Sequence, residues 1–130
     1  MRISVLGAGS WGTALAILLH YNSHQVVLWG HRFEHTEELK THRQNIRLLP
    51  GITIPNEVTI TSDLEFSIEH AEMIVTAVPS QFLRSVIETM KEKDFSQVVF
   101  VNVAKGIENL SLKTMSQVLL EVLPTARKEN

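Results

Sequence analysis

One stretch near the start of the chain limits what it can fold into. The apolar run Ile3 to Leu6 leads straight into Gly7-Ala8-Gly9-Ser10-Trp11-Gly12, and the residues from Trp11 to His20 follow a helical period. Three glycines at this spacing between a strand and a helix each answer a separate steric demand. The position of Gly7 permits a tight turn, that of Gly9 lets the backbone approach a pyrophosphate, and that of Gly12 lets the helix pack on the strand. The start of the helix offers unpaired N–H groups and the positive end of a dipole. Together they favour an anion, the dipole alone by roughly 0.3–1 kcal/mol. Residues 1–32 therefore read as the phosphate and ribose corner of a nicotinamide dinucleotide site.

The rest of the chain repeats the same alternation of short β-branched runs and helical stripes, the pattern of βαβ units and a parallel sheet. Strands are predicted at Val26 to Trp29, Val58 to Thr61, Met73 to Val78 and Val98 to Val103. The third, with polar alternation, suits a sheet edge. The fifth reads as buried on both faces. In the first helix Trp11, Leu15, Leu18 and Leu19 mark the expected buried face. Glu34 to Arg43 is a more polar helix. Leu49-Pro50-Gly51 and Pro55-Asn56 mark a loop, and Ser62 with Glu65 has the spacing of a capping box for a short helix. After Pro79 a stripe of Phe82, Leu83, Val86, Ile87 and Met90 is predicted to be buried. A last stripe runs through Leu112, Met115, Val118, Leu119 and Val122. The expected fold class is α/β, a Rossmann-like doubly wound parallel sheet of five βα units. Its strand order is 3-2-1-4-5, since crossovers are right-handed and the order reverses after the third strand.

Bulk properties narrow the function. With 130 residues the chain suits one domain, spanning residues 1–130. A net charge of −2 creates no field to draw nucleic acid or an anionic membrane. The absence of cysteine rules out disulfides and thiolate metal sites. No apolar run is long enough for membrane insertion. Met1-Arg2 passes directly into a strand pattern, so no signal peptide is expected and a cytoplasmic location is. The six histidines show no metal-ligand spacing, and no metal site is expected.

Cofactor choice is read at the end of the second strand. A fold that prefers NAD(H) usually places a carboxylate there to bond the ribose hydroxyls. Here the segment is Trp29-Gly30-His31-Arg32, and no carboxylate comes before Glu34. Arg32 can grip a 2′-phosphate and stack on adenine, with a further hydrogen bond from His31. NADP(H) is the expected preference, with NAD(H) as a second cofactor. Ligands in doubly wound sheets lie across the carboxyl ends of the strands. On that edge fall Ala77-Val78-Pro79-Ser80 and Asn102-Val103-Ala104-Lys105-Gly106. Lys105, the one charge in its segment, is a candidate partner for a phosphate or carboxylate.

With these residues placed, the chain resembles the NAD(P)-dependent sn-glycerol-3-phosphate dehydrogenases, chiefly their bacterial branch. The resemblance rests on Val5 to Ala16, on Val27-Leu28-Trp29 and the basic residues after it, and on Asn45 through Leu49-Pro50-Gly51. It rests also on Val78-Pro79-Ser80 with Ala104-Lys105-Gly106-Ile107-Glu108. It implies that Ser10, Trp11, His31, Arg32 and Lys105 contact the nucleotide beside Gly7, Gly9 and Gly12. Pro79 and Phe82 fall near the cofactor, and Lys105 also meets the substrate phosphate. His31 stands where many bacterial relatives have arginine. The activity implied is reduction of dihydroxyacetone phosphate to sn-glycerol 3-phosphate, which supplies glycerophospholipid synthesis. The family is longer. Its all-helical C-terminal substrate domain follows this point and carries the lysine assigned to proton transfer, so no catalytic residue is matched here and the 130-residue chain is expected to be inactive alone. Self-association is expected, either through an outer strand left bare or through burial of apolar surface near Phe82 across a two-fold axis. The alternatives are a non-catalytic NADP-binding module and a related reductase such as ketopantoate reductase, against which Trp29 and Lys105-Gly106 count.

Overall fold

In the computed structural model, which describes residues 1–130, the glycine turn joins β1 (Arg2–Leu6) to α1 (Ser10–Tyr21). β2 (Gln25–Trp29) and α2 (Phe33–His42) follow. A two-stranded antiparallel hairpin comes next, β3 (Gln44–Asn45) with β4 (Leu49–Thr53), its register shifted between Gln44 and Asn45. Then come β5 (Thr59–Thr61), α3 (Leu64–Ile68), β6 (Met73–Thr76), α4 (Ser80–Glu88), β7 (Val99–Asn102) and α5 (Met115–Val122).

The main sheet has the order β5-β2-β1-β6-β7, and every pairing in it is parallel. In terms of the five expected strands this is 3-2-1-4-5. Each strand sends alternate residues to opposite faces, so the sheet carries two cores. On one face Ile3, Val5, Val26, Leu28 and Val75 pack with Ala16 and Ile17 of α1 and Leu39 of α2. On the other, Leu6, Trp29 and Ile74 pack with Leu83 and Ile87 of α4 and with Met115, Val118 and Leu119 of α5. Trp29 is buried, and its indole N–H donates to the Ser62 carbonyl at 3.1 Å. The tie closes the end of β2 over the start of α3 and satisfies the ring's one polar atom.

Several expectations need correction, beside the loop expected at Leu49-Pro50-Gly51, which opens β4. First, the buried face of α1 is Gly12, Thr13, Ala16 and Ile17, while Trp11 and Leu18 are 56% and 55% exposed. The helix lies so close to the sheet that small residues face inward; Leu15 and Leu19 only flank the core. Second, α3 is capped by Asp63, not Ser62: its carboxylate accepts from the Phe66 N–H at 3.1 Å. Third, Phe82 is 62% exposed, although Leu83, Ile87 and Met90 are buried as expected. Fourth, Leu112 lies before α5, exposed and at φ 57°. The actual cap of α5 is a capping box, Thr114 with Gln117. Fifth, β7 is not buried on both faces. α4 and α5 cover the side of Phe100, whereas Val99 and Val101 on the other face stay partly exposed. Its outer edge is also partly occupied, since the Phe100 N–H donates to the Asn130 carbonyl at 2.9 Å.

Candidate cofactor-binding site

The sheet order reverses between β1 and β6, and the glycine turn stands at the carboxyl end of that boundary. A crevice must open there, because the connections from the two central strands leave on opposite faces. The turn is held in place by backbone bonds to both neighbours. The Gly7 N–H donates to the Trp29 carbonyl at 2.9 Å, and the Ala77 N–H donates to the Leu6 carbonyl at 2.8 Å.

The three glycines are not equivalent. A Cβ on Gly7 would lie 2.7 Å from the backbone of Ala77, and Gly7 has φ +122°. A Cβ on Gly12 would lie 1.7 Å from the Gly7 carbonyl oxygen. A Cβ on Gly9 would meet nothing within 4 Å. Gly7 and Gly12 thus serve the fold, whereas the space beside Gly9 is open. The first bond of α1 runs from the Thr13 N–H to the Gly9 carbonyl at 3.0 Å. The amides of Ser10, Trp11 and Gly12 come before it. No side chain caps them, and the first turn holds no acidic residue. A helix start with free donors and an open approach fits a pyrophosphate.

Around this turn lie the other expected residues. Ser10 and Trp11 are exposed at the start of α1. His31 and Arg32 are exposed beyond β2, Arg32 as the residue before α2, with no ion pair. The His31 ring stands edge-on to Trp29 at 6.2 Å between centroids. Gly30 is closely surrounded there, since a Cβ on it would lie 2.7 Å from the Thr36 methyl and 3.1 Å from the Ala8 Cβ. On the opposite side Pro79 and Phe82 are exposed at the start of α4. Lys105 is exposed in the loop after β7, next to Gly106, whose Cβ position is 3.6 Å from the Ser80 hydroxyl. The structure therefore groups Lys105 with the start of α4, on the same sheet edge as the glycine turn. A cavity of about 230 Å³ lies between α2 and the hairpin, lined in part by His35, Leu39, Asn45 and Arg47 and by no residue of the glycine turn.

Sequence reasoning missed what holds the Lys105 loop. Thr76, fully buried, donates to the Asn102 side-chain oxygen at 2.9 Å, and that oxygen also accepts from the Ala104 N–H at 3.3 Å. Gln81 donates to the Ile107 carbonyl at 2.8 Å and accepts from the Asn109 N–H at 2.9 Å. Arg84 makes a bidentate pair with Glu108 at 2.8 and 2.9 Å and reaches Glu121 at 3.1 Å. Ser111 donates to Glu108 as well, and Lys113 pairs with Glu121. The Arg84 hydrogen bonds, then that of Ser111, hold the Glu108 carboxyl down at about 2 from its ordinary 4.5. A carboxyl lowered on folding stabilises the fold above its unfolded value. That contribution fades as pH falls from about 4.5 towards 2. Glu108→Gln should therefore flatten the loss of thermal stability on acidification across that window. A melting series from pH 5 to pH 2 checks it; unchanged steepness in the variant counts against the pair as an acid-sensitive clamp.

The comparisons with known proteins agree with this geometry. The family described as NAD-dependent glycerol-3-phosphate dehydrogenase N-terminus matches residues 2–129. A glycerol-3-phosphate dehydrogenase (NAD(P)+) of Chlorobium phaeobacteroides is 49% identical over 125 residues, which is 96% of this chain and 38% of that protein. Its counterpart from Pelodictyon phaeoclathratiforme is 52% identical over 124 residues, 95% of this chain and 37% of that protein. The crystal structure of glycerol-3-phosphate dehydrogenase from Coxiella burnetii superposes with a TM-score of 0.87 at 33% identity, covering 94% of this chain and 37% of that one. The chain thus spans under two-fifths of the length of these relatives. With a family match over residues 2–129 and a glycine turn at the switch point of a doubly wound sheet, the chain belongs to the NAD-binding N-terminal domains of the glycerol-3-phosphate dehydrogenases.

Proposed function

We propose that this chain is the cofactor-binding portion of an oxidoreductase that interconverts dihydroxyacetone phosphate and sn-glycerol 3-phosphate with NAD(P)H, in the cytoplasm, and so supplies glycerophospholipid synthesis. The observation that carries the proposal is the cradle at Gly9, open where a Cβ would stand, beside the uncapped start of α1. A bound nicotinamide dinucleotide supplies the hydride chemistry. The chain's own residues bind and orient it. The amides at the start of α1 receive the pyrophosphate, Ser10 and Trp11 border it, and Gly7 and Gly12 keep the turn tight. Pro79 and Phe82 form the opposite wall. Lys105 offers its ammonium to phosphate, of the cofactor or of the substrate. Titration of the chain with NADPH, followed by calorimetry, tests the reading; absence of any heat of binding would sink it.

NADP(H) is the preferred cofactor in this reading. Arg32 is exposed, free of any carboxylate partner, and adjacent to His31 at the carboxyl end of β2. Arg32→Ala should weaken NADPH binding by about tenfold, the loss of one charge-assisted contact, and NADH binding by much less. Equal weakening of the two cofactors would refute the assignment of selectivity to Arg32.

Self-association is also part of the reading. Val99, Val101, Ile107, Leu110 and Leu112 expose apolar surface on and after β7, and such surface favours burial against another chain. Light scattering over a dilution series should show a mass that rises with concentration; a constant monomer mass would contradict it.

A further inference from the structure

The Ala8 carbonyl oxygen is the meeting point of two elements that lie outside the sheet. It accepts from the Asn45 side-chain amide at 3.1 Å and from His35 Nε2 at 3.0 Å. His35 is on α2, and Asn45 is on the hairpin strand β3. Asn45 is 1% exposed, and the same amide nitrogen donates to the Thr13 hydroxyl at 3.0 Å. Thr13 is fully buried in the first turn of α1. The remaining atom, Asn45 Oδ1, is buried with no hydrogen-bond partner. The reverse orientation of the amide would set its oxygen against the Ala8 carbonyl, two acceptors face to face, so the geometry fixes which end points at the turn. A buried acceptor left unpaired is a cost to the fold. An apolar residue of similar size would avoid it, but would leave the buried Thr13 hydroxyl unpaired and the Ala8 carbonyl one donor short. Asparagine at this place therefore calls for a reason beyond packing.

The peptide that Ala8 shares with Gly9 supplies one. A trans peptide is planar, and its carbonyl and N–H point in opposite directions. Holding the Ala8 oxygen inward, towards α2 and the hairpin, turns the Gly9 N–H outward. That N–H makes no hydrogen bond within the protein. It belongs to the one glycine of the turn whose Cβ position is open. Without the two donors, no hydrogen bond to the Ala8 oxygen opposes rotation of this Ala8–Gly9 peptide. A rotated peptide would present a carbonyl oxygen to an anion.

We infer that Asn45 and His35 are positioning residues that lock the Ala8–Gly9 peptide so that the Gly9 N–H faces the pyrophosphate of the dinucleotide. The inference rests on the cofactor-binding reading above. It also gives the hairpin a purpose, since its strand β3 carries the Asn45 amide to the glycine turn.

Comparing NADPH affinity with folding, on the 130-residue chain, separates this role from a merely structural one. Asn45→Leu removes the donor and the unpaired oxygen together but leaves the buried Thr13 hydroxyl without its partner; one unpaired group replaces another, so the chain should stay folded with its melting temperature shifted by no more than several degrees. The dissociation constant should rise by about tenfold, the effect of one lost hydrogen bond. His35→Leu should raise it by several fold, whereas His35→Gln, which keeps an N–H donor at similar reach, should restore most of the affinity. In nitrogen–proton NMR spectra of the free chain, the Gly9 amide resonance should shift or broaden in Asn45→Leu and His35→Leu but not in His35→Gln. Should Asn45→Leu fail to fold, the two His35 variants decide, because His35 lies on a partly exposed helix face. Folded variants that bind NADPH within twofold of the unsubstituted chain, with an unmoved Gly9 resonance, overturn the positioning role alone. Failure of the unsubstituted chain to bind NADPH overturns the cofactor-binding reading and this inference with it.

Discussion

Gly12→Ala should leave the chain unable to form its native turn. The added Cβ would stand 1.7 Å from the Gly7 carbonyl oxygen, and that oxygen is backbone, so no side chain can swing away to make room. The clash would have to be relieved by moving α1 off β1. That movement would open the face where Ala16 and Ile17 pack against Ile3, Val5 and Val26. Losses of this kind belong to the upper tail of single substitutions, at about 4–5 kcal/mol or more. A domain of this size has about 5–15 kcal/mol to lose. The expected result is a chain that expresses poorly or melts at least about 15 °C lower by circular dichroism. A variant with near-normal melting would mean that α1 can tilt without disturbing the core.

Gly9→Val should behave in the opposite manner. Gly9 has φ −76° and ψ −170°, an extended conformation open to any residue, and its Cβ would meet nothing within 4 Å. The fold should survive with a melting temperature within a few degrees of the original. Cofactor binding should not survive. The valine side chain would occupy the space that the open cradle leaves for a phosphate and would screen the amides at the start of α1. A loss of at least 100-fold in NADPH affinity is expected, about 2.7 kcal/mol. Calorimetry on the folded variant measures it, and retained affinity would place the dinucleotide elsewhere. The paired results separate the glycine that builds the turn from the glycine that makes room for the ligand.

The glycine turn, the five strands of the parallel sheet and their order are all legible in the sequence. Each depends on local chemistry. A strand of β-branched residues, a turn that needs positive φ at Gly7 and a helix start that needs Gly12 are written in adjacent residues. The order 3-2-1-4-5 follows from the handedness of crossovers, which does not depend on side-chain detail. The small hairpin is less legible. β4 contains Pro50 and Gly51, residues that ordinarily mark a loop, and β3 is only two residues long. The capping box at Thr114 and Gln117 has a visible signature, S/T followed three residues later by E/Q, but the apolar stripe suggests a helix already at Leu112.

The sequence by itself determined the class of fold and the residues that shape the glycine turn, because these rest on backbone sterics within a few positions. Tertiary structure decided which faces are buried. α1 turns Ala16 and Ile17 inward and Trp11 outward because its distance from the sheet is set by Gly12, and close approach selects small residues over large apolar ones. β7 keeps one face uncovered because α4 and α5 both pack on the other. The joining of Asn45 and His35 to Ala8 spans 37 and 27 residues of sequence, and that of Arg84 to Glu108 spans 24. No local pattern encodes such meetings. They exist only once the sheet has brought the ends of its strands together and the helices have come to rest on its two faces.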